Sequence, residues 1–468
     1  MLCSFVRVPS ACTRGVTAAD RSQPPRRSTT SRRGAGAAPL SAHAGMSRAT
    51  AANKIVNTSE LESLHGYSKL ALDSGSPTLF RTRKTAVLWR PVDATTNPSL
   101  CSKAAKDDAQ FYWLAVEAIR RAKNGDDGSS GDRPRPPRAT AEMLSALLAR
   151  DILGSIPGRV SLEVDGRLNN DAGATVEAAL RMVAVAESIG IQRQRLLVKV
   201  PATYAGIQAV AELAEHGVSV NSTLVFNTAQ AQACALAGAK TVSPFVGRVK
   251  DWHRSATADR RRDEEDRGKR GGAASSVIIV GGERHAGLEL VANIYNLFHY
   301  QGLRTEVMGA SLRSVEEARA LAGCDLLTLP GSLFDLLSAS SHPLSRMLSP
   351  ESAEAAYAAA PSRAAGWEAP FADANDFKTR LQGMAWDKLT EGCSSFAADS
   401  AALEAWIAEL EEACDESATR RAAAAARRGR RDGGGGGPAA GGRGNISAGE
   451  DEDRAMEDLS FIQDAFTT

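Results

Sequence analysis

The chain has 468 residues, 43% of them hydrophobic, which is enough to build a large core. Its 56 Lys+Arg balance 55 Asp+Glu to a net charge of +1, so no basic field marks it for nucleic acid or a membrane surface. Seven scattered cysteines form no CxxC pair, which argues against a disulfide framework or a zinc site, and no run of 18 apolar residues spans a bilayer.

Residues 1–50 carry eight arginines, no lysine and a single acid, Asp20, amid Ser, Ala and Thr. This composition reads as an organelle transit peptide, with a plain disordered tail as the alternative. The Ser/Thr/Pro-rich run RSQPPRRSTTSRRGAGAAPLSAHAG favours a plastid over a mitochondrion or the cytoplasm. The folded body is expected over 51–415. Within it, NGDDGSSGDRPRPPR (124–138) and RSATADRRRDEEDRGKRGGAASS (254–276) read as surface inserts, since long structureless loops are uncommon in compact domains. Residues 416–468 read as a low-complexity, mostly disordered tail.

Short β-rich runs recur along the body, separated by helical patterns. The expected strands are 67–73 (YSKLALD), 90–97 (RPVDATTN), 160–165 (VSLEVD), 196–200 (LLVKV), 218–226 (VSVNSTLVF), 241–246 (TVSPFV), 304–308 (RTEVM) and 325–329 (DLLTL). The spacing predicts helices over 111–123, 175–190 and 205–217, the last burying Ile207, Val210, Leu213 and Ala214. A helix over 314–323 opens with a capping box from Ser314 to Glu317, and another over 400–413 follows the last strand. Eight strands with intervening helices favour an α/β fold of the (β/α)8 TIM-barrel type with extra C-terminal helices and disordered tails. A doubly wound open sheet is the alternative, weakened by the absence of GxGxxG after the first strand.

In such a barrel, chemistry collects where the strands end. The strand ends supply Asp73, Thr95, Asn97, Glu163, Lys199, Asn221, Thr223, Ser243 and Arg248, with Phe245 beside them and Arg313 just past the seventh strand. Lys199 stands in the middle of an apolar run, LLVKVPAT (196–203). In one reading it pairs with a carboxylate or reaches water. In the other it serves as a neutral amine that attacks a carbonyl and forms a Schiff base. Singly, the remaining residues also have bland readings: Asp73 as an Asx turn, Glu163 as a mere counter-ion, Asn97-Pro98 as a turn, Arg248 as a partner of Asp251. Together they suit one chemistry, in which an amine nucleophile and a proton shuttle act on a carbonyl substrate whose charged end, such as a phosphate, is held by arginine.

The motifs DATTNPSL (93–100), VSLEVDGRL (160–168), LLVKVPATYAGI (196–207), NSTLVFNTAQAQA (221–233), VSPFVGRVKDW (242–252) and TEVMGASLR (305–313) closely resemble those of the transaldolase family, in the same order. LAGCDLLTLP (321–330) and WDKLTEGCSSFAADSAALE (386–404) resemble its last strand and C-terminal helices. The resemblance implies a cofactor-free, metal-free class I aldolase barrel. Such an enzyme moves a dihydroxyacetone unit from sedoheptulose 7-phosphate to glyceraldehyde 3-phosphate in the non-oxidative pentose phosphate route. It assigns Lys199 as the Schiff-base nucleophile, Glu163 as the proton shuttle working through a water held by Thr223, and Asp73 as the acid/base at the C–C bond. Thr95, Asn97 and Asn221 are then expected at substrate hydroxyls or against the lysine, and Ser243, Arg248 and Arg313 at the phosphate. Phe245 is the aromatic of transaldolases beside the water site, where a tyrosine would point to fructose 6-phosphate aldolases. The first-strand motif departs from the family, with Ser76 where many members have a second acid.

The partners expected are sugar phosphates, with no nucleic acid and no membrane, on a monomer or homodimer. Two other functions stand beside transfer: an aldolase releasing free dihydroxyacetone, and a non-catalytic sugar-phosphate-binding barrel. Cys101, Cys234, Cys324, Cys393 and Cys414 read as structural thiols rather than redox switches.

Overall fold

The computed structural model describes residues 58–82, 84–124, 137–263, 278–280, 282–358 and 370–432. Residues 1–57, which include the expected transit peptide, lie outside the described residues, as do 125–136, 264–277 and 433–468 from the expected inserts and tail.

The elements alternate as the sequence periodicity predicts. Helix α1 (Glu60–His65) precedes β1 (Lys69–Asp73), and α2 (Pro77–Arg81) and a π-helical turn (Thr85–Trp89) lead to β2 (Asp93–Thr95). Next come α3 (Pro98–Asp107), α4 (Ala109–Asn124), α5 (Pro137–Leu153), β3 (Val160–Glu163) and α6 (Ala172–Ser188). The middle of the chain runs β4 (Leu196–Pro201), α7 (Tyr204–Glu215), β5 (Val220–Val225), α8 (Thr228–Leu236), β6 (Thr241–Pro244) and α9 (Val246–Asp263). After a small hairpin at 279–284 follow α10 (Ala286–Gln301), β7 (Glu306–Gly309), α11 (Val315–Ala320), β8 (Leu326–Leu329) and α12 (Gly331–Ala339). Three further helices end the described chain: α13 (Pro350–Ala358), α14 (Ala374–Leu381) and α15 (Met384–Asp432).

The eight strands pair in parallel and close into a barrel in the order β1-β8-β7-β6-β5-β4-β3-β2. Each expected strand is present with its ends moved by a few residues: most are trimmed, while the fourth extends to Pro201 and the seventh to Gly309. The second shrinks most, from 90–97 to Asp93–Thr95, because Arg90 takes a left-handed conformation (φ 48°) that closes the π-helical turn.

Side-chain parity does the rest. Leu70 and Leu72, Ala94, Val160 and Leu162, Val198 and Val200, Val220, Val242, Val307, Leu327 and Leu329 all join one core cluster with the surrounding helices. Their alternates therefore face the barrel interior, because successive strand residues point to opposite faces. Those alternates include Asp73, Thr95, Glu163, Lys199, Asn221, Thr223, Ser243 and Thr328. One apolar set holds the helices on, at about 1.5–3 kcal/mol for each large side chain fully buried, and the other set is left free for chemistry.

A smaller cluster closes the C-terminal end of the barrel. Leu224, Phe226, Phe245 and Val249 pack there against Phe377 of α14 and Leu389, Cys393 and Phe396 of α15.

Four sequence expectations need correction. Helix α7 buries Gly206, Ala209, Val210 and Leu213, while Ile207 is half-buried and Ala214 exposed; the apolar stripe is turned by about one residue. The capping box at α11 is half formed: Ser314 accepts the Glu317 N–H (3.3 Å), but the Glu317 carboxylate turns elsewhere. Residues 254–263, expected within an insert, continue α9, since no Gly or Pro interrupts them. Residues 416–432, expected in the disordered tail, extend α15 through an Ala-rich run of high helix propensity.

Candidate active site

Strand β4 is buried along its whole length. Leu196, Val198 and Val200 face the helix layer, so the apolar run around Lys199 packs outward while the lysine points into the barrel. Its own surroundings are polar. Nζ lies 3.0 Å from Glu163 Oε2 and donates to the Thr96 carbonyl at 2.9 Å. Glu163 is the register partner of Lys199 on β3, and Asn221 its partner on β5. The chain leaves β4 through Thr203, which caps α7 by accepting the Gly206 N–H. A Cβ at 206 would sit 2.0 Å from the Pro201 carbonyl, so only glycine allows α7 to start this close to the lysine strand.

A cavity of about 200 Å³ opens at the strand ends. Eight of the expected residues line it: Asp73, Thr95, Asn97, Lys199, Thr223, Ser243, Phe245 and Arg248. Asn97 also caps α3 through the Leu100 N–H, so the turn reading and the site reading both hold. Glu163 and Asn221 stand behind this first layer. Asn221 is fully buried, donates to Ser161 Oγ (3.2 Å) and accepts from the Ser243 hydroxyl (2.7 Å), so it positions rather than contacts.

Arg313 is not brought into the cavity. It is half-exposed and pairs with Asp251 at 2.6 Å. That pairing takes the partner the sequence offered to Arg248. Arg248 is instead half-buried between two rings, 5.2 Å from the centre of Phe245 and 5.5 Å from that of Phe396. Burial draws its guanidinium below the usual value, with Glu391 and Glu163 opposing, and it remains a cation.

Sequence reasoning missed Ser99, Met308, Ser311, Thr328 and Phe396, which also line the cavity. Thr328 carried a signal, a polar residue at an inward position of an apolar strand. Ser311 lies inside the quoted motif GASLR, at a left-handed φ of 60°. Phe396 arrives from α15 and had no local signal.

The two acids are electrostatically unusual. Burial pushes the Asp73 carboxyl above its ordinary value, while Lys199 and the Thr95 hydroxyl, which donates to it at 2.6 Å, pull the other way. Burial likewise raises Glu163, opposed by Lys199. Neither Glu163 oxygen has a well-aligned hydrogen-bond donor among the described residues, and Thr223 Oγ1 is buried without a partner. A carboxyl raised in this way holds a proton more readily than an ordinary one, which suits acid/base work. Ser76 donates to Asp108, so a carboxylate still stands beside the position where the family motif has its second acid. Cys101, Cys234 and Cys393 are buried free thiols pushed up to about 12 by burial, which makes them poor nucleophiles.

An amine, a buried carboxyl and one arginine thus line a single cavity on a parallel barrel, with a second carboxyl directly behind the amine. The profile of the transaldolase/fructose-6-phosphate aldolase family matches residues 70–407. A transaldolase of Methylibium petroleiphilum is 39% identical over 355 residues, covering 75% of this chain and 100% of its own length. The chain belongs to the transaldolase family. Transaldolases of Marinobacter nauticus and Alteromonas mediterranea are each 36% identical, over 359 and 354 residues, covering 76% and 75% of this chain and 99% and 98% of their own lengths. The matched span runs from β1 into α15, so every transaldolase-family residue discussed above lies within it. Like the relatives that carry the transaldolase name, the chain is an enzyme, a transferase.

Proposed function

We propose that the chain carries a dihydroxyacetone unit from sedoheptulose 7-phosphate to glyceraldehyde 3-phosphate through a Schiff base on Lys199. The products are erythrose 4-phosphate and fructose 6-phosphate, as in the non-oxidative pentose phosphate pathway. The observation that carries this reading is the placement of the Lys199 amine 3.0 Å from Glu163 beside a cavity that Asp73 and Arg248 also line.

The neutral Lys199 amine adds to the ketose C2 carbonyl, and the carbinolamine loses water to give an imine. Glu163 moves the protons of that dehydration through a water shared with the Thr223 hydroxyl, whose oxygen has no other described partner. Asp73 takes the proton of the C4 hydroxyl. The C3–C4 bond then breaks, the first aldehyde leaves, and the electron pair passes into the protonated imine as an enamine. The acceptor aldehyde is attacked by the enamine carbon, Asp73 returns its proton to the new hydroxyl, and water releases the product from Lys199. Arg248 grips the phosphate, and its fork suits a tetrahedral anion. Thr95 and Asn97 meet the hydroxyls, and Ser243 stands with Arg248 at the phosphate.

A two-substrate assay tests this. Erythrose 4-phosphate should appear only when sedoheptulose 7-phosphate and glyceraldehyde 3-phosphate are both present. Free dihydroxyacetone released without an acceptor would instead mark an aldolase, against which Phe245 argues. Binding without turnover would mark a sugar-phosphate-binding barrel.

We also propose that residues 1–50 direct the chain to a plastid, on the strength of their arginine-rich, acid-poor composition. A fluorescent protein fused behind residues 1–50 should accumulate in plastids. Cytosolic fluorescence would refute the proposal.

A further inference from the structure

Glu317 is fully buried in α11, yet its carboxylate does not complete the helix cap that its sequence position predicts. It accepts instead from three donors on three separate pieces of chain. The Arg313 N–H donates to Oε2 (2.8 Å), and Lys250 Nζ of α9 donates to Oε1 (3.0 Å). His285, the residue before α10, meets Oε1 through Nε2 at 3.0 Å. Its Nδ1 accepts the Leu288 N–H, which leaves Nε2 as the donor.

These pieces carry two groups that line the substrate cavity. Arg248 is on the first turn of α9, and Ser311 is on the turn after β7. The two segments touch closely. The N–H groups of Val246 and Gly247 donate to the carbonyls of Ala310 and Ser311 at 2.9 and 3.1 Å. A Cβ at Gly247 would lie 2.5 Å from the Ser311 oxygen and 2.6 Å from Arg313 Nε, so nothing but glycine fits. The Arg313–Asp251 pair fastens the outer side of the same junction.

We propose that Glu317 is the positioning residue for recognition of the substrate's phosphate. By tying the Ser311–Arg313 turn to α9 through the Arg313 N–H and Lys250, it sets the spacing between Ser311 and Arg248. Glu317 itself lies outside the cavity lining and acts through these two groups. This role rests on the reading of Arg248 as the phosphate grip.

The test compares fructose 6-phosphate with phosphate-free fructose as donor, using the full-length enzyme and its Glu317→Gln and Lys250→Met variants. Glu317→Gln is expected to raise KM for fructose 6-phosphate about tenfold, the effect of losing one hydrogen bond to a charged group. Its kcat at saturation and its kcat/KM on fructose should stay near the parent values, and inhibition by inorganic phosphate should weaken in parallel with KM. Lys250→Met, at a half-buried position, should show the same selective pattern to a smaller degree and carries the test if Glu317→Gln does not fold. Equal losses on the two ketoses would show a merely structural role and overturn the proposal, as would an unchanged KM in both variants. A parent enzyme with the same kcat/KM on both ketoses would defeat the phosphate reading itself, a result separate from either.

Discussion

Lys199 and Glu163 face each other across the β3–β4 pairing, as register partners with Nζ 3.0 Å from Oε2. The carboxylate is within reach of every proton that the amine gains or sheds. Glu163→Ala should therefore slow adduct formation by about 10²-fold or more, the usual contribution of a placed proton shuttle. Stopped-flow measurement of adduct formation at saturating ketose checks this. Adduct formation at the parent rate would remove Glu163 from the mechanism.

Asp73 makes a prediction in two directions. Burial raises its pKa, so its ionisation in the folded state works against stability. That penalty is absent below the ordinary carboxylate value of 3.8 and grows as pH rises through the raised one. Asp73→Asn keeps the acceptor for the Thr95 hydroxyl and removes the charge. It should lose about 10²–10⁴ in kcat and yet melt at a higher temperature than the parent at pH 7. The gap should close as pH falls toward 3.8. Thermal scans across that range, with kcat at pH 7, decide it. A melting temperature below the parent's at pH 7 would contradict the electrostatic account of the site.

At the opposite end of the barrel an ion network joins four segments. Lys69 reaches Glu306 at 2.8 Å, and Arg159 bridges Glu306 (2.8 Å) and Asp93 (2.7 Å). Burial pushes the Glu306 carboxyl up, but Lys69 and Arg159 outweigh it and hold the group below its ordinary value of 4.5. A depressed carboxylate stabilises the fold above its ordinary value, and that contribution is lost as pH falls through the depressed one. Glu306→Gln should lower stability by about 1.5–3 kcal/mol at pH 7, progressively less below pH 4.5, with kcat unchanged. Denaturant melts and a turnover assay check both halves. An equal stability loss at pH 3 would contradict the ion-network account.

Phe396 brings α15 into the site by stacking on Arg248. Phe396→Leu keeps most of the packing and removes the cation–π contact. KM for a phosphorylated ketose should rise between about twofold and thirtyfold, the span of such contacts. Unaltered KM would show that Phe245 alone orients the arginine.

The barrel was legible because its strands alternate. Lys199, Glu163, Asn221, Thr223 and Ser243 each break an apolar run at an inward position, and that parity is a local property of the chain. Phe396 and the Arg313–Asp251 pair were not legible, since each depends on where a distant helix lands. On the sequence alone, the apolar flanks of Lys199 suggest a desolvating shell. In the fold they pack outward, and the polar neighbours Glu163 and Thr96 come from other strand ends. The α15 extension to Asp432 was hidden for a different reason: an Ala/Arg run has the composition of a low-complexity tail and the propensity of a helix.

The central claim is that the Lys199 amine captures the ketose covalently. Borohydride reduction during turnover of fructose 6-phosphate, followed by peptide mass mapping, tests it most directly. The account predicts a single three-carbon dihydroxyacetone adduct on Lys199, absent from Lys199→Arg. An adduct on another lysine, or full transferase activity in Lys199→Arg, would contradict it.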